Sequence, residues 1–183
     1  FDTEDTVDLH VLNPPGGQLR CADGLMVHRR DVAPLVGVNG RLVTTPAWTA
    51  VEVARGLRRP RALATLDAAL RSGRCGRAEL WRAAVEQARR RGIVAVRELI
   101  PLADPLAESP MESEARLAMI DGGLPTPQLQ YEIPDAMKRD RRRRTALEAV
   151  GWVIISIVFE DVRYRPWEFV ARVDEHLRHP RAA

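Results

Sequence analysis

The sequence predicts an α/β (α+β) protein: a helix-rich module with a few short strands, then a small mixed sheet flanked by helices. Three patterns predict it. Period-two alternation appears near the start and again from Gln128, helical stripes fill residues 47 to 91, and the second half alternates helix with strand. At 183 residues the chain holds one large domain or two small ones.

Asp8 to Leu12 alternates polar with apolar residues and runs into Asn13-Pro14-Pro15-Gly16-Gly17, a strand followed by a turn. Leu25 to His28 and Arg41 to Val43 read as further strands. Asn39-Gly40, between Val38 and Leu42, suits a hairpin turn because both residues tolerate positive φ. Thr45-Pro46 then starts a helix, a capping hydroxyl preceding a proline whose missing N–H costs nothing there. Helices are expected over Ala47 to Leu57, Pro60 to Arg71 and Arg77 to Arg91, with stripes Leu63, Leu66, Leu70 and Leu80, Ala84, Ala88. Gly73 and Gly92 are natural stops.

Asp104 to Pro110, with two prolines and little periodicity, is the expected boundary between domains 1–103 and 104–183. Beyond it, Pro110 to Asp121 reads as a helix ended by Gly122-Gly123. Gln128 to Ile133 reads as a strand, Ala136 to Val150 as a helix, Trp152 to Phe159 as a buried strand, and Pro166 to Leu177 as an amphipathic helix. Asp161 with Arg163 or Arg165 is expected to cap that last helix, and Trp152, Trp167 and Phe169 to lie in the core.

Hydrophobic residues make up 45% and charged residues 29%, ordinary for a globular protein. Val150 to Phe159 is the longest apolar stretch, far short of the roughly 20 residues that span a bilayer, so no membrane partner is expected. The chain opens at Phe1 inside a strand pattern, as an N-terminally incomplete module would. Cys21 and Cys75 have no metal-ligand spacing and read as reduced thiols of a cytoplasmic protein. Net charge is +3 and the pI about 9.4, which permits DNA binding without demanding it. Lys138 is the sole lysine, an arginine bias that a GC-rich genome also produces.

No Ser-His-Asp order, phosphate-cradling glycine loop or dinucleotide fingerprint is present. His10, His176 and His179 have no metal spacing between them. Asp23-Gly24-Leu25-Met26-Val27-His28 carries a D-G-x-x-H spacing, but Cys21 stands where a glutamate ligand would, and the segment reads as a turn into a strand. The strongest charge feature is Lys138-Arg139-Asp140-Arg141-Arg142-Arg143-Arg144. At helical spacing four consecutive arginines spray around the axis, so it is either a solvated helix start or a set of phosphate contacts.

Four segments in order resemble the Vsr-like (very short patch repair) branch of the PD-(D/E)XK endonucleases, and within it the actinobacterial domain of unknown function 559. They are Glu108-Ser109-Pro110-Met111-Glu112-Ser113 with Arg116; Gly123-Leu124-Pro125-Thr126-Pro127 with Gln130; Asp140, Arg143, Leu147 and Gly151-Trp152; and Asp161-Val162 with Pro166. The first half is similar to the AbiEi-antitoxin-like part of such proteins at His28-Arg29-Arg30-Asp31-Val32, Val43-Thr44-Thr45-Pro46-Ala47 and Leu66-Asp67-Ala68-Ala69-Leu70-Arg71. There Trp48 replaces an expected arginine and Glu52 an expected aspartate.

The resemblance implies a restriction-endonuclease-like fold for residues 104–183 and a DNA-binding protein that cleaves with Mg²⁺ or Mn²⁺. Glu112 would be an active-site acid and metal ligand and Gln130 a site neighbour, whereas the bland reading of Glu112 is a surface pair with Arg116. Lys138, Arg139, Arg141 and Arg142 would contact DNA, and Asp140 would pair with Arg143. PD-(D/E)XK chemistry needs several acids converging on one metal, yet nine residues, 131 to 139, stand where the family places the rest of a hairpin. Two explanations are open. Either the flanks of an omitted hairpin stand joined in this sequence, or a deletion has left a nuclease fold without its site. The second favours the alternative function, a non-catalytic antitoxin-like regulator or interaction component with a toxin or other protein as partner.

Overall fold

The computed structural model describes residues 9–13, 16–30, 33–130, 145 and 147–178. Of the described residues about 50% are helix and 11% strand, in small sheets. Two compact units result, residues 1–45 and 46–183.

In the first unit, strand β1 (Leu9–Leu12) pairs in parallel with β2 (Leu25–His28), Leu9 facing Leu25 and Leu12 facing His28. The intervening loop is organised by Asn13, whose side-chain amide donates to the Gly17 carbonyl at 2.8 Å and accepts from the Leu19 N–H at 3.3 Å. Strands β3 (Leu35–Val38) and β4 (Arg41–Thr44) form an antiparallel hairpin. Its turn is the expected Asn39-Gly40, at φ 49° and 73°, the positive-φ pair that matches strand twist.

The second unit is helical, with α1 (Pro46–Ala54), α2 (Arg59–Arg71), α3 (Arg77–Glu86), α4 (Ile93–Leu99) leading into a 3-10 turn (Ile100–Leu102), α5 (Pro110–Asp121), α6 (Phe159–Arg163) and α7 (Pro166–Arg178). Helix α2 is the hub, packing on α1, α4 and α5 through the fully buried Leu63 and Leu66. A second core cluster gathers Ala115, Val162, Phe169 and Val173 from α5, α6 and α7.

Several expectations are corrected. Helix α3 stops at Glu86 rather than Arg91, because the Gln87 side chain is buried against α1 and Arg89 turns the chain at φ 66°. The next helix, α4, is not among the expected elements, and its Ile93, Val96 and Leu99, with Ile100, form a buried stripe. Residues 152–158 are not a strand, and Phe159 opens a helix. A strand needs a ladder partner, and no described segment pairs with this one. Phe169 is core, but Trp152 and Trp167 are 47% and 66% exposed. On α7 the buried pair Phe169 and Val173 occupies one face, and Trp167, two residues from Phe169, falls on the other. Asp161 caps the short helix α6, accepting from the Val158 N–H, and its cation is Arg172 at 2.9 Å rather than Arg163 or Arg165. The segment 104–110, the expected boundary, runs along the second compact unit. The Asp104 N–H donates to Asp67 on α2 at 2.8 Å, so the chain there is fastened to the helical core.

Candidate functional site

Two residues of the matched segments, Asp67 and Arg116, meet where α2 packs on α5. Asp67, in the Leu66-Asp67-Ala68 segment of α2, is fully buried, and Arg116 of α5 is 4% exposed. Arg116 Nη2 donates to Asp67 Oδ2 at 2.8 Å, its Nη1 donates to the Leu102 carbonyl at 2.5 Å, and the Asp104 N–H fills Asp67 Oδ1. Two segments singled out separately in the sequence are thus one buried ion pair, 49 residues apart. Among the described residues Arg116 Nε finds no partner. Such a pair holds two helices in one register, and removing one partner strands a buried charge.

Around this pair the acids of the helical unit are tied to arginines. Glu114, 6% exposed, accepts from Arg58 at 3.3 Å and pairs with Arg61 at 3.1 Å. Asp121 takes Arg59 at 2.9 Å, and this hydrogen bond is the main reason the Arg59 guanidinium is held above its usual value. On α1, Glu52 pairs with Arg55 at 2.7 Å and Arg90 at 3.2 Å, while Arg90 also lies 5.4 Å from the ring of the buried Trp48. Trp48, which took the place of an expected arginine, therefore has a cation from another element stacked over it. Gln87 closes this network, donating to the Trp48 carbonyl at 2.9 Å and accepting from Arg55 at 3.0 Å.

Glu112 sits in the first turn of α5, whose N-cap is Ser109. Its N–H donates to Ser109 Oγ at 3.2 Å, and its carboxylate accepts from Ser109 Oγ at 3.1 Å and from the Glu108 N–H at 3.0 Å. This satisfies the helix start, and the expected pair with Arg116 does not form because Arg116 is committed to Asp67. Gln130 is exposed and lies in a turn at φ 48° rather than in a strand. The structure does not bring it together with Glu112 through any described contact. Lys138, Arg139, Asp140, Arg141, Arg142 and Arg143 lie outside the described residues. Among the described residues no three His, Cys, Asp or Glu side chains gather as a metal site. Among the described residues Glu112 offers one carboxylate, engaged by its own helix start, and the acids Glu132, Asp135 and Asp140 lie outside the described residues.

One groove opens in the helical unit, about 580 Å³ in volume, between the start of α2, the end of α5 and helices α6 and α7. Leu117, Leu124 and Val170 wall it and Trp167 stands at its side. Gly122 lets the turn after α5 approach α7, since a Cβ there would lie 2.5 Å from Val170. The charges around the groove are matched, Arg58 with Glu114 and Arg178 with Asp174 at 2.9 Å. It therefore offers an apolar and aromatic wall rather than converging catalytic groups. No described helix is long and apolar enough to cross a membrane.

Residues 1–102 match the model of the AbiEi antitoxin C-terminal domain, more than half of the chain, and the chain belongs to the AbiEi antitoxin family. It is also 52% identical to an uncharacterised protein found in two strains of Mycobacterium tuberculosis, across 100% of this chain and 79% of each relative. That alignment runs over 214 positions against 183 residues here, so the relatives carry residues opposite gaps in this chain. No solved structure matches it.

Proposed function

We propose that this chain is a non-catalytic, antitoxin-like regulatory component that acts by binding DNA and a toxin protein in the cytoplasm. The observation that carries this is the family match over residues 1–102. The geometry of the helical unit supports it. Glu112, Glu114, Asp67 and Asp161 are each engaged in caps or ion pairs that hold helices together, which leaves binding rather than acid-base or metal chemistry as their setting. Lys138, Arg139, Arg141 and Arg142 supply the cations for phosphate contact in the sequence.

The finer reading, a Vsr-like PD-(D/E)XK nuclease with Glu112 on a Mg²⁺ or Mn²⁺ ion, rests on the ordered segments between residues 104 and 179. It needs acids beyond those described, and Glu112 already has a structural use. Both explanations of the short 131–139 segment accommodate the gapped alignment with the relatives.

The test of the binding reading is fluorescence anisotropy of a labelled duplex DNA titrated with the protein at rising salt. Binding that weakens with salt is expected, the log–log slope falling by roughly 0.9 per phosphate contact removed. The triple variant Lys138→Ala, Arg141→Ala, Arg142→Ala is expected to flatten that slope. Absence of any binding at about 50 mM salt would overturn DNA as a partner.

A further inference from the structure

We propose that His10 and His28 form a two-histidine site for a transition-metal ion of borderline softness, of the Zn²⁺ class, that clasps β1 to β2. The inference is independent of the regulatory reading. In the parallel register of these strands His10 faces Met26 and Leu12 faces His28. The two histidines are thus diagonal neighbours on one face, within mutual reach of long or aromatic side chains. They meet: His10 Nδ1 lies 2.9 Å from His28 Nε2, with ring centroids 5.0 Å apart and planes inclined by 20°.

That spacing is what a shared metal requires. Imidazole nitrogens bind zinc at about 2.0–2.1 Å, so two of them at a right angle stand about 2.9 Å apart and at the tetrahedral angle about 3.4 Å. As the pair stands, one ring nitrogen donates its proton to the lone pair of the other. A metal ion takes the place of that hydrogen bond: the donor ring's proton passes through water to its other nitrogen, both imidazoles stay neutral, and small rotations of the rings turn the two lone pairs onto the ion. No net proton leaves the neutral pair, and no oxidation state changes. His10 is exposed, so water can reach the ion and complete its coordination. The described residues offer no third His, Cys, Asp or Glu at this place.

The site also has a structural consequence. Strands β1 and β2 are each four residues long and pair only with one another among the described residues, and a two-stranded sheet is marginal in water. An ion held by both strands ties their pairing directly, and ligand binding to the folded form alone raises its stability.

Untagged protein should be titrated with ZnCl₂ by isothermal calorimetry near neutral pH. One ion per chain is expected. The His10→Ala and His28→Ala variants should each weaken binding by about tenfold or more, as loss of one of two ligands must, and affinity should follow the order Zn²⁺ below Cu²⁺. His176→Ala is expected to bind as wild type does. If either ligand variant fails to fold, histidine ring resonances of the wild-type protein decide the matter: zinc should shift those of His10 and His28 and leave His176 in place. Calorimetry showing no zinc uptake at about millimolar concentration, or equal binding by wild type, His10→Ala and His28→Ala, would overturn the site.

Discussion

Between residues 9 and 45 no described side chain is buried, whereas the unit that begins at Pro46 holds the whole described core. The hairpin shows the contrast. Leu35, Val36, Val38, Leu42 and Val43 are all between 39% and 73% exposed, although the same residue types at Leu63, Leu66 and Val51 are fully buried. Both regions satisfy their local rules, with a correct turn in one and correct helical stripes in the other. Among the described residues only the second gathers its apolar side chains into a core. Local legibility and independent stability are therefore different properties, and the first unit draws its order from strand pairing and from contacts such as His10–His28.

This difference can be broken or sharpened by substitution. The largest effect should come from the buried pair that joins α2 to α5. Asp67→Ala leaves Arg116 buried and uncompensated and should cost about 3–5 kcal/mol, read from urea unfolding. The double variant Asp67→Leu, Arg116→Met should recover a good part of that loss, because it removes both charges.

Phe169→Ala, in the second core cluster, should cost about 3–5 kcal/mol. Its unfolding should be a single transition shared with residues around Leu63, measured by native-state hydrogen exchange; separate transitions for α2 and α7 would divide the helical unit in two.

A smaller effect is expected from pH. The Arg172 hydrogen bond, and then the Val158 N–H, hold the Asp161 carboxyl below the usual carboxylate range. A depressed folded value stabilises the protein above the unfolded value near 4 and loses that contribution as pH falls through the folded one. Urea midpoints at neutral and acid pH should therefore converge between wild type and Asp161→Asn as the pH falls, the wild type losing its advantage.

The smallest effect belongs to the first unit. Leu42→Ser, on an exposed strand, should change global stability by no more than about 0.5 kcal/mol. A loss comparable with Phe169→Ala would mean that the hairpin is covered in solution and that the contrast drawn here is wrong.

Much of the fold was legible because its signals are local. Asn39-Gly40 marked the hairpin, Thr45-Pro46 the first helix, and Ser109-Pro110 with Glu112 the start of α5. Residues 152–158 were not legible, since a short apolar run reads equally as strand or as packed irregular chain. The candidate site was harder for a different reason. Arg116 has a plausible partner four residues away in Glu112, and nothing local announces that Asp67, 49 residues distant, takes it instead. His10 and His28 were likewise hidden, because parallel pairing across 18 residues creates the contact. Aromatic character alone does not place Trp167, and the helix face occupied by Phe169 and Val173 decides that it lies outside the core.

The central claim is that this protein binds without cleaving. The direct measurement is incubation of supercoiled plasmid with the protein in Mg²⁺ and in Mn²⁺, resolved on an agarose gel beside the Glu112→Gln variant. Retarded but intact plasmid is expected, with wild type and Glu112→Gln alike. Nicked or linear plasmid that depends on the metal and disappears with Glu112→Gln would contradict it.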